Sequence, residues 1–484
     1  MKIIHLATEF APIAKAGGLG DVLVGLAREL TRVGQDVEVI LPKYDFIPEH
    51  LLKNLKVDLP AFPCNGHTNT MWSAKVEGCS LLLLEPHHPK NYFRRGQIYG
   101  CHDDTERFLY FSKACLEYIK AKNKTIDVLH LHDWHTAFAA VLTKDFYHKL
   151  PIQKVVLTMH NAEYQGLCAT WDLDAIGVKG SDYLTKDKLQ DDHLPHTMNL
   201  LKGGVIYADA INTVSTTYAK EIETPEIGGA LSATFRKYKD KIFGILNGID
   251  QILWNPTTDP ALHVKYGADS GIEEILAAKE SARDQLRKRF DLGKNQRPWV
   301  GVITRIVPQK GPELIEEGII RALELGGSFL LLGSSPIPSL QKHFDQLKTK
   351  YAQNKNILFH FEYDEIIAHQ LYAALDFLLM PSRFEPCGLS QLIAMRYGTI
   401  PIVRKTGGLQ DTVFDCENQD VPIQNRNGFV FRDATKADLL QAMGRGVRLF
   451  RADPSAFQSL IERAMRQNFS WEKPVKKYLE LYKR

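Results

Sequence analysis

The sequence lacks any long apolar run. No window approaches the roughly 18 uninterrupted apolar residues that a membrane-spanning helix needs. The first residues, MKIIHLATEF, carry one lysine and only a short apolar run before Glu9, which is too little for a signal peptide. Membrane-embedded and secreted classes are therefore disfavoured, and we expect a cytoplasmic protein.

Paired cysteines are also missing. The seven cysteines are an odd number, and no two of them have C-x-x-C spacing. A disulfide framework uses an even set, and a structural zinc site shows closely spaced pairs. The fold must therefore be held by its apolar cores. A chain of 484 residues with 44% hydrophobic residues can supply these for two or three domains.

An excess of charge of one sign is absent as well. The chain has 60 basic and 57 acidic residues, which gives a net charge of only +3. General binders of nucleic acid or of membrane surfaces show a basic excess or stripe. We therefore expect neither as a partner, although a local cationic site remains compatible with this balance.

Short apolar runs alternate with amphipathic stretches along the chain. A first series comprises IIHLAT, VEVILP, VLHLH, KVVLTMH, DAINTVS and KIFGILN, and a second comprises WVGVITRI, SFLLLGS, NILFHF, DFLLMPS, IPIVRKTG and NGFVF. Brief runs rich in Val, Ile and Leu are typical of buried parallel strands, and helices between them cover both faces of the sheet. We predict two doubly wound α/β domains, at residues 1–256 and 257–455, and C-terminal helices at 456–484.

Ligands of open α/β sheets bind outside the carboxyl ends of the strands. After the first strand, APIAKAGGLGD places Gly17, Gly18 and Gly20 at the start of a helix, with Lys15 just before them. Glycines and free N–H groups at a helix start suit a phosphate, and a lysine adds a full charge. The spacing fits neither G-x-G-x-x-G nor the P-loop, so an ordinary glycine-rich turn is the alternative.

Two histidine-containing clusters follow later strands of the first domain. HLHDWH contains His130, His132, Asp133, Trp134 and His135, which suggests a metal site. In a strand, however, only the first two histidines share a face, so recognition of sugar hydroxyls with stacking on the tryptophan fits better.

The second cluster, LTMHNAEYQG, places His160 and Asn161 directly after a buried strand. A polar pair there is costly without a ligand or hydrogen-bond partners. Asn247 has the corresponding place in LNGID, where it could also be a turn residue.

The second domain repeats the pattern with cations. Arg305 and Lys310 follow the strand in ITRIVPQKG, and two cations beside a loop suit a diphosphate. SRFEPCGLS places Glu385 and Cys387 before a helix that starts near Gly388. A further glycine-rich helix start, a second candidate anion site, has the residues Thr406, Gly407 and Gly408.

Six of these motifs together resemble those of bacterial glycogen synthases and plant starch synthases. KAGGLGD, HDWH, MHNAEYQG, LNGID, SRFEPCGL and RKTGGLQDTV occur in this order over nearly the whole chain. The resemblance implies two Rossmann-like domains facing across a cleft, the GT-B arrangement, with a C-terminal helix packing back on the first domain. It also implies transfer of glucose from ADP-glucose to the non-reducing end of an α-1,4-glucan, with retention. No cofactor or metal is expected, the expected partners are the donor and the glucan, and the oligomeric state is open.

The resemblance also implies roles for individual residues. Lys15 and Gly18 would meet the donor diphosphate, Arg305 and Lys310 would neutralise the phosphates, and Glu385 would lie against the sugar. Asp133, His160, Asn161 and Asn247 would surround the transferred glucose, Tyr363 would stack on the adenine, and backbone N–H groups near Thr406 and Gly407 would hold phosphate oxygens. The implied catalytic residues are Lys15, His160, Arg305, Lys310 and Glu385. The full implied donor set is Lys15, Gly18, Asp21, Tyr99, Asp133, His160, Asn161, Asn247, Arg305, Lys310, Tyr363, Glu385, Cys387, Gly388, Leu389, Thr406, Gly407 and Gly408.

Two positions depart from the related motifs. Ala16 stands where the family usually has threonine, which removes a hydroxyl next to Lys15. Ile393 stands where more distant GT-B enzymes have a second glutamate, so their ribose contact is not carried over. With no second nucleophilic carboxylate evident, front-face attack is favoured over a covalent intermediate, although the sequence leaves both open.

Other functions remain to be weighed. The same fold could act on another nucleotide sugar or a small acceptor, as sucrose- and trehalose-type transferases do, or the chain could bind glucan without catalysis. Asp172 and Asp174 form a D-x-D that a metal-dependent transferase would need, but they do not clearly follow a hydrophobic strand. A nicotinamide dehydrogenase is disfavoured because the dinucleotide fingerprint fails after the first strand.

Overall fold

The computed structural model describes residues 1–294, 297–362 and 364–484, and these residues form two compact units. The first unit comprises Met1–Gly248 with Ser470–Arg484, and the second comprises Ile249–Phe469. Within the described residues, no helix combines the length and apolarity needed to cross a membrane.

The first unit is built on a sheet with the strand order β11-β10-β7-β6-β1-β2-β5-β4-β3. Its strands and those of a separate β8–β9 pair are β1 Lys2–Leu6, β2 Asp36–Pro42, β3 Lys53–Cys64, β4 His67–Val76, β5 Cys79–Pro86, β6 Ile126–His132, β7 Ile152–Met159, β8 Leu167–Cys168, β9 Met198–Asn199, β10 Ala210–Thr213 and β11 Ile242–Gly244. The helices are α1 Gly18–Arg32, α2 Asp104–Ala121, α3 Asp133–Asp145, α4 Thr170–Asp174, α5 Leu200–Tyr207, α6 Thr216–Glu221, α7 Pro225–Gly228 and α8 Ser232–Lys237. The predicted strands of this domain are confirmed.

Strands β3, β4 and β5 and the short β8–β9 pair were not predicted. Strands β3 and β4 pair antiparallel, β4 pairs antiparallel with β5, and β5 pairs parallel with β2. Short turns join β3 to β4 and β4 to β5, at Asn65–Gly66 and Glu77–Gly78, and all four residues have positive φ values. Asn-Gly between two extended runs is a strong hairpin signal, so the sequence carried information about this antiparallel edge.

The second unit has a parallel sheet with the strand order β14-β13-β12-β15-β16-β17. Its strands are β12 Trp299–Ile303, β13 Ser328–Leu332, β14 Ile357–His360, β15 Phe377–Met380, β16 Ile400–Arg404 and β17 Phe429–Phe431. Its helices are α9 Ile272–Phe290, α10 Pro312–Glu324, α11 Pro338–Lys350, α12 Glu365–Ala374, α13 Ser390–Arg396, α14 Gly407–Thr412, α15 Lys436–Ala452 and α16 Pro454–Met465. The strands are the six predicted from the second series of apolar runs.

The limits of the units differ from the predicted domain limits at 256 and 456. Ile249 belongs to the second unit because its side chain is buried in that unit's core and its N–H donates to the Phe469 carbonyl at 2.9 Å. Helix α16 belongs there too, since Phe457 and Leu460 lie in the same core. The chain therefore passes between the units at Gly248–Ile249 and again at Phe469–Ser470.

The last helix, α17 at Glu472–Lys483, packs on the first unit. Tyr482 places its hydroxyl 2.7 Å from Nδ1 of His130, and Tyr478 accepts a hydrogen bond from the Asn212 amide at 3.1 Å. Trp471, just before the helix, lies so close to α1 that a Cβ at Gly25 would fall 2.0 Å from its indole nitrogen. The predicted return of a C-terminal helix is confirmed.

Candidate active site

Most predicted site residues of each unit follow strands at or next to the point where the strand order reverses. In the first unit, β1 and β6 are neighbours, but β1 leads on to β2 on one side and β6 leads to β7 on the other. In the second unit, β12 and β15 are related in the same way. The loops that follow such a strand pair diverge and leave a crevice, which is where open α/β sheets bind ligands.

Glu9 holds the glycine-rich loop of the first unit. Its Oε2 accepts hydrogen bonds from the N–H groups of Ala16 and Gly17, both at 2.8 Å, and its side chain is buried. Lys15 donates to Asp21 Oδ1 at 2.8 Å, which fixes the lysine over the start of α1 at Gly18. Glu9 was not predicted as a site residue, although it lies closer to the end of β1 at Leu6 than Lys15 does.

Tyr99 contacts the same carboxylate. Its hydroxyl donates to Glu9 Oε1 at 2.8 Å and lies 2.7 Å from the Thr8 hydroxyl. Burial and then the Glu9 charge hold the pKa of Tyr99 well above its usual value, so it remains a neutral donor. The predicted donor-site tyrosine thus supports the glutamate that anchors the loop.

Asp133 anchors the loop after β7. It adopts a left-handed conformation, with φ of 56°, at the first residue of α3. Its Oδ1 accepts hydrogen bonds from the backbone N–H groups of His160 at 2.7 Å and Asn161 at 3.4 Å. The structure therefore brings these three predicted residues together, with Asp133 acting on backbone rather than on the histidine ring.

The pKa of the Asp133 carboxyl is raised to about 7, chiefly by burial, and the Glu9 charge adds to the effect while the two backbone N–H groups oppose it. A carboxyl whose folded pKa lies above the unfolded value contributes stability that is complete below the unfolded pKa, here 3.8, and is lost as pH rises through 7. Asp133→Asn should therefore gain in unfolding free energy relative to wild type between pH 4 and 7. Urea unfolding of both proteins across this range measures the difference, and a constant difference would contradict the assignment.

Three buried histidines lie in the sheet beneath this loop. His5, His130 and His132 have ring nitrogens within 4.8 Å of one another, close enough to suggest a metal. His130 instead contacts the hydroxyls of Tyr482 at 2.7 Å and Thr158 at 2.6 Å. His5 Nδ1 lies 3.0 Å from His132 Nε2. Hydrogen bonds thus organise the cluster, and the absence of a metal stays a prediction.

Asn247 is a buried side chain with an open hydrogen-bonding atom. It is 6% exposed, and its Oδ1 has no hydrogen-bond partner among the described residues. A buried amide oxygen without a partner is costly, so such an atom points to a ligand or a bound water. This favours the predicted sugar contact over a simple turn residue.

Lys310 and Glu385 meet at the reversal point of the second unit. Lys310 Nζ donates to Glu385 Oε2 at 2.5 Å, and the Ser382 hydroxyl donates to the same oxygen at 2.9 Å. The loops that follow β12 and β15 are held together by two hydrogen bonds. The Arg383 N–H donates to the Gln309 carbonyl, and the Gln309 amide donates to the Phe384 carbonyl. The Glu385 side chain is 6% exposed, so the lysine and the serine are what stabilise its buried charge.

Glycines shape the turn that follows Glu385. Gly388 has φ of 72°, a conformation that favours glycine. A Cβ at Gly408 would lie 2.1 Å from the carbonyl oxygen of Cys387, so the Thr406–Gly408 loop can approach this turn only without a side chain there. The Gly408 N–H donates to the Glu385 carbonyl at 3.0 Å. Helix α13 begins at Ser390, with Leu389 preceding it, close to the start predicted near Gly388.

Two predicted donor residues remain, Arg305 and Tyr363. Arg305 is exposed just after β12, and no ion pair involves it within residues 1–294, 297–362 and 364–484. Its guanidinium is therefore available to an anion. Tyr363, predicted to stack on the base, lies outside the described residues.

An open cavity of about 350 Å³ lies in the first unit beside the HDWH segment. It is lined by the aromatic rings of Trp134 and Tyr164, by Leu167, and by the polar side chains of Asp104, Thr105, Glu163 and Gln165. Tyr164 is 49% exposed and Leu167 46%. An exposed ring beside carboxyl and amide groups can take up a ligand with both apolar faces and hydroxyl edges.

Comparison with known proteins agrees with these features. A family model described as the starch synthase catalytic domain matches residues 2–237, and one described as glycosyl transferases group 1 matches residues 284–445. The glycogen synthase of Protochlamydia amoebophila is 44% identical over 100% of this chain and 99% of its own. Glycogen synthase 2 of Methylococcus capsulatus is 40% identical over 99% of each chain.

Among solved structures, the catalytic domain of starch synthase IV from Arabidopsis thaliana, bound to ADP and acarbose, matches with a TM-score of 0.95. It is 42% identical and covers 100% of this chain and 99% of that chain. The predicted GT-B-type fold is thereby confirmed. This chain belongs to the family of glycogen and starch synthases, which are glycosyltransferases.

Proposed function

We propose that this enzyme elongates an α-1,4-glucan with glucose from ADP-glucose, with retention and without a metal ion. The observation that carries the proposal is the buried Lys310–Glu385 pair at the reversal point of the second sheet. One unit thus supplies a cation for a leaving phosphate and a carboxylate for the sugar, and the relative with ADP and acarbose supports these substrates.

Departure of a nucleoside diphosphate creates negative charge on phosphate and positive charge on the sugar ring. Lys310 and the exposed Arg305 would stabilise the first, as preorganised cations do in water-poor sites. Glu385 would stabilise the second, as carboxylates do in glycoside cleavage. Because Lys310 and Ser382 already hold the carboxylate, little reorganisation is needed when the bond breaks.

For the first unit we keep the predicted roles. Lys15 and Gly18 would contact the donor phosphates, and Asp133, His160, Asn161 and Asn247 would surround the transferred glucose. The anchoring contacts of Glu9 and Asp133 support this proposal because they fix the backbone of both loops. The open oxygen of Asn247 supports it independently.

The test of the function is transfer of labelled glucose to glycogen by the purified enzyme. We expect transfer from ADP-glucose to exceed transfer from UDP-glucose and to be unchanged by EDTA, because lysine and arginine take the place of a metal at the diphosphate. Loss of transfer on chelation, with recovery on adding manganese, would contradict the metal-free proposal. Transfer to a small sugar but not to glycogen would favour a sucrose- or trehalose-type enzyme. Donor binding without transfer would indicate a non-catalytic homologue.

We assign the glucan acceptor to the cavity beside Trp134. Tyr164→Ala should raise the KM for glycogen by roughly 2- to 12-fold, the worth of about 0.5–1.5 kcal/mol of ring contact, and leave the KM for ADP-glucose unchanged. Phe146→Ala is the matched control, since Phe146 is similarly exposed at 47% but does not line the cavity. Equal effects of the two variants on glycogen KM would contradict the assignment.

A further inference from the structure

The rings of His5, His132 and His160 form a hydrogen-bonded row that runs diagonally across the sheet of the first unit. We call this row the histidine staircase. His5 in β1 lies opposite His130 of β6, and the staircase continues at His132, two residues nearer the carboxyl end. His132 lies opposite Thr158 of β7, and His160 is again two residues farther on. From each ring to the next, the row therefore passes to the neighbouring strand and moves two residues toward the carboxyl edge of the sheet, where the candidate site lies. The sequence showed His130 and His132 on one face, but not their connection to His5.

Hydrogen bonds join the steps ring to ring. His5 Nδ1 lies 3.0 Å from His132 Nε2, and His132 Nδ1 lies 3.0 Å from His160 Nε2. The rings are close to parallel at each step, with interplanar angles of 26° and 28°. His5 and His132 are fully buried, whereas His160 is half-buried at the end of the staircase.

All three rings are neutral at ordinary pH. Burial lowers the pKa of both His5 and His160 to about 3, and it lowers the pKa of His132 well below its usual value, helped by the neighbouring histidines. A neutral imidazole has one N–H donor and one acceptor nitrogen. Two successive ring-to-ring hydrogen bonds therefore require all three N–H groups to point in the same direction along the row of rings. That direction is either inward, from His160 toward His5, or outward, from His5 toward His160.

Only two arrangements of the ring protons satisfy this condition, and they differ in the protonated nitrogen of His5 and of His160. If the N–H groups point inward, His5 must carry its proton on Nε2, which is buried and has no partner among the described residues. If they point outward, Nε2 of His5 has no proton and leaves only a lone pair unfilled, and His160 carries its proton on Nδ1. Buried N–H groups without an acceptor are rarer in proteins than unfilled lone pairs, so the outward arrangement is favoured.

We propose that His5 and His132 are positioning residues that hold His160 in the Nδ1–H form, so that its outer ring nitrogen donates a hydrogen bond to an oxygen of the bound sugar. The sugar contact rests on the proposed function, whereas the form of the ring follows from the staircase alone. Asp133 completes the arrangement, since it fixes the His160 backbone while His132 fixes the ring. Among the described residues, no hydrogen bond uses Nδ1 of His160, which leaves that nitrogen for the ligand.

Neutron diffraction from perdeuterated wild-type crystals tests the form of the ring directly. We expect deuterium on Nδ1 of His5, His132 and His160, and none on their Nε2 atoms. Deuterium on Nε2 of His160 would overturn the proposal, and so would a doubly protonated ring at any of the three positions. This readout needs no substrate and no variant, so it holds even if the assigned reaction is wrong.

Variants test the consequence for the reaction. The Asn side chain of His132→Asn can place its amide N–H near the position of the ring Nδ1, whereas His132→Leu removes the donor. We expect His132→Leu to lower kcat/KM for ADP-glucose roughly tenfold, about the worth of one hydrogen bond, and His132→Asn to recover most of it.

His130→Leu is the matched control. His130 stacks on His132 at 4.4 Å and is equally buried, but its nitrogens contact Thr158 and Tyr482 instead of the staircase. We expect it to lower Tm as His132→Leu does while leaving kcat/KM close to wild type. Equal losses of kcat/KM in both leucine variants, with no recovery by His132→Asn, would show that His132 only packs in the core and does not position His160. Absence of transfer in the wild type would count against the proposed reaction alone, and neutron diffraction would still decide the staircase.

Discussion

Replacing Glu385 by glutamine should lower turnover by two to three orders of magnitude and change donor affinity little. A carboxylate that acts on developing positive charge gives its help in the transition state, so its loss appears in kcat. The loss of one such electrostatic contact typically costs about 2.7–4 kcal/mol. The amide keeps the shape of the side chain and can still contact Lys310 and Ser382. The measurement is kcat and KM for ADP-glucose, with ADP affinity determined separately.

Two variants control this experiment. Glu313→Gln makes the same change at an exposed glutamate that pairs with Arg383 at 2.7 Å, and it should leave turnover unchanged. Cys387→Ser tests the neighbouring thiol as a nucleophile, and we expect a far smaller loss than with Glu385→Gln. An equal loss in the cysteine variant would end the assignment of Glu385. A loss of ADP affinity in Glu385→Gln with turnover intact would reduce the glutamate to a binding role.

The second large effect is expected at Lys310. Lys310→Met leaves the buried Glu385 carboxylate with the Ser382 hydroxyl as its remaining partner among the described residues. Removing one member of a buried ion pair typically costs about 3–5 kcal/mol. The side chains of the pair are 18% and 6% exposed, so we expect the lower end, about 3 kcal/mol. Turnover should fall as well, because the same ammonium is proposed to meet the leaving phosphate.

A double-mutant cycle separates these effects. In Lys310→Met/Glu385→Gln the buried charge is gone, so the double variant should be more stable than Lys310→Met while remaining inactive. Denaturant unfolding gives the stability and the transfer assay gives the turnover. Arg383→Met, at the exposed pair with Glu313, should change the unfolding free energy little, as surface pairs do. Additive losses of stability in the cycle would show that Lys310 does not stabilise the Glu385 charge.

Local sequence features predicted much of the architecture. Apolar runs of four to eight residues predicted the parallel strands of both units except β5, because strands buried on both faces need little besides Val, Ile and Leu. The glycines at residues 17–20 and Thr406–Gly408 marked loops next to helix starts. The antiparallel β3–β4 pair was not predicted, because it lies outside the strand–helix alternation, although Asn65–Gly66 is a hairpin signal.

The residues that support the site were harder to find. Glu9 anchors the glycine-rich loop and His5 ends the histidine staircase, yet both lie in the largely apolar stretch IIHLATEFAPIA. Neither has a local pattern that distinguishes it from an ordinary strand-end residue. Their importance arises from contacts with Ala16, Gly17 and His132, which only the folded sheet establishes.

The sequence by itself determined the α/β class and where along the chain the polar clusters lie, because periodicity and turn chemistry act between near neighbours. Only the tertiary structure decided which clusters meet. Lys310 pairs with Glu385 across 75 residues because β12 and β15 are adjacent in the sheet, and His130 meets Tyr482 across 352 residues because α17 returns to the first unit. Strand order and helix return depend on packing the whole core, so no short window of residues contains them.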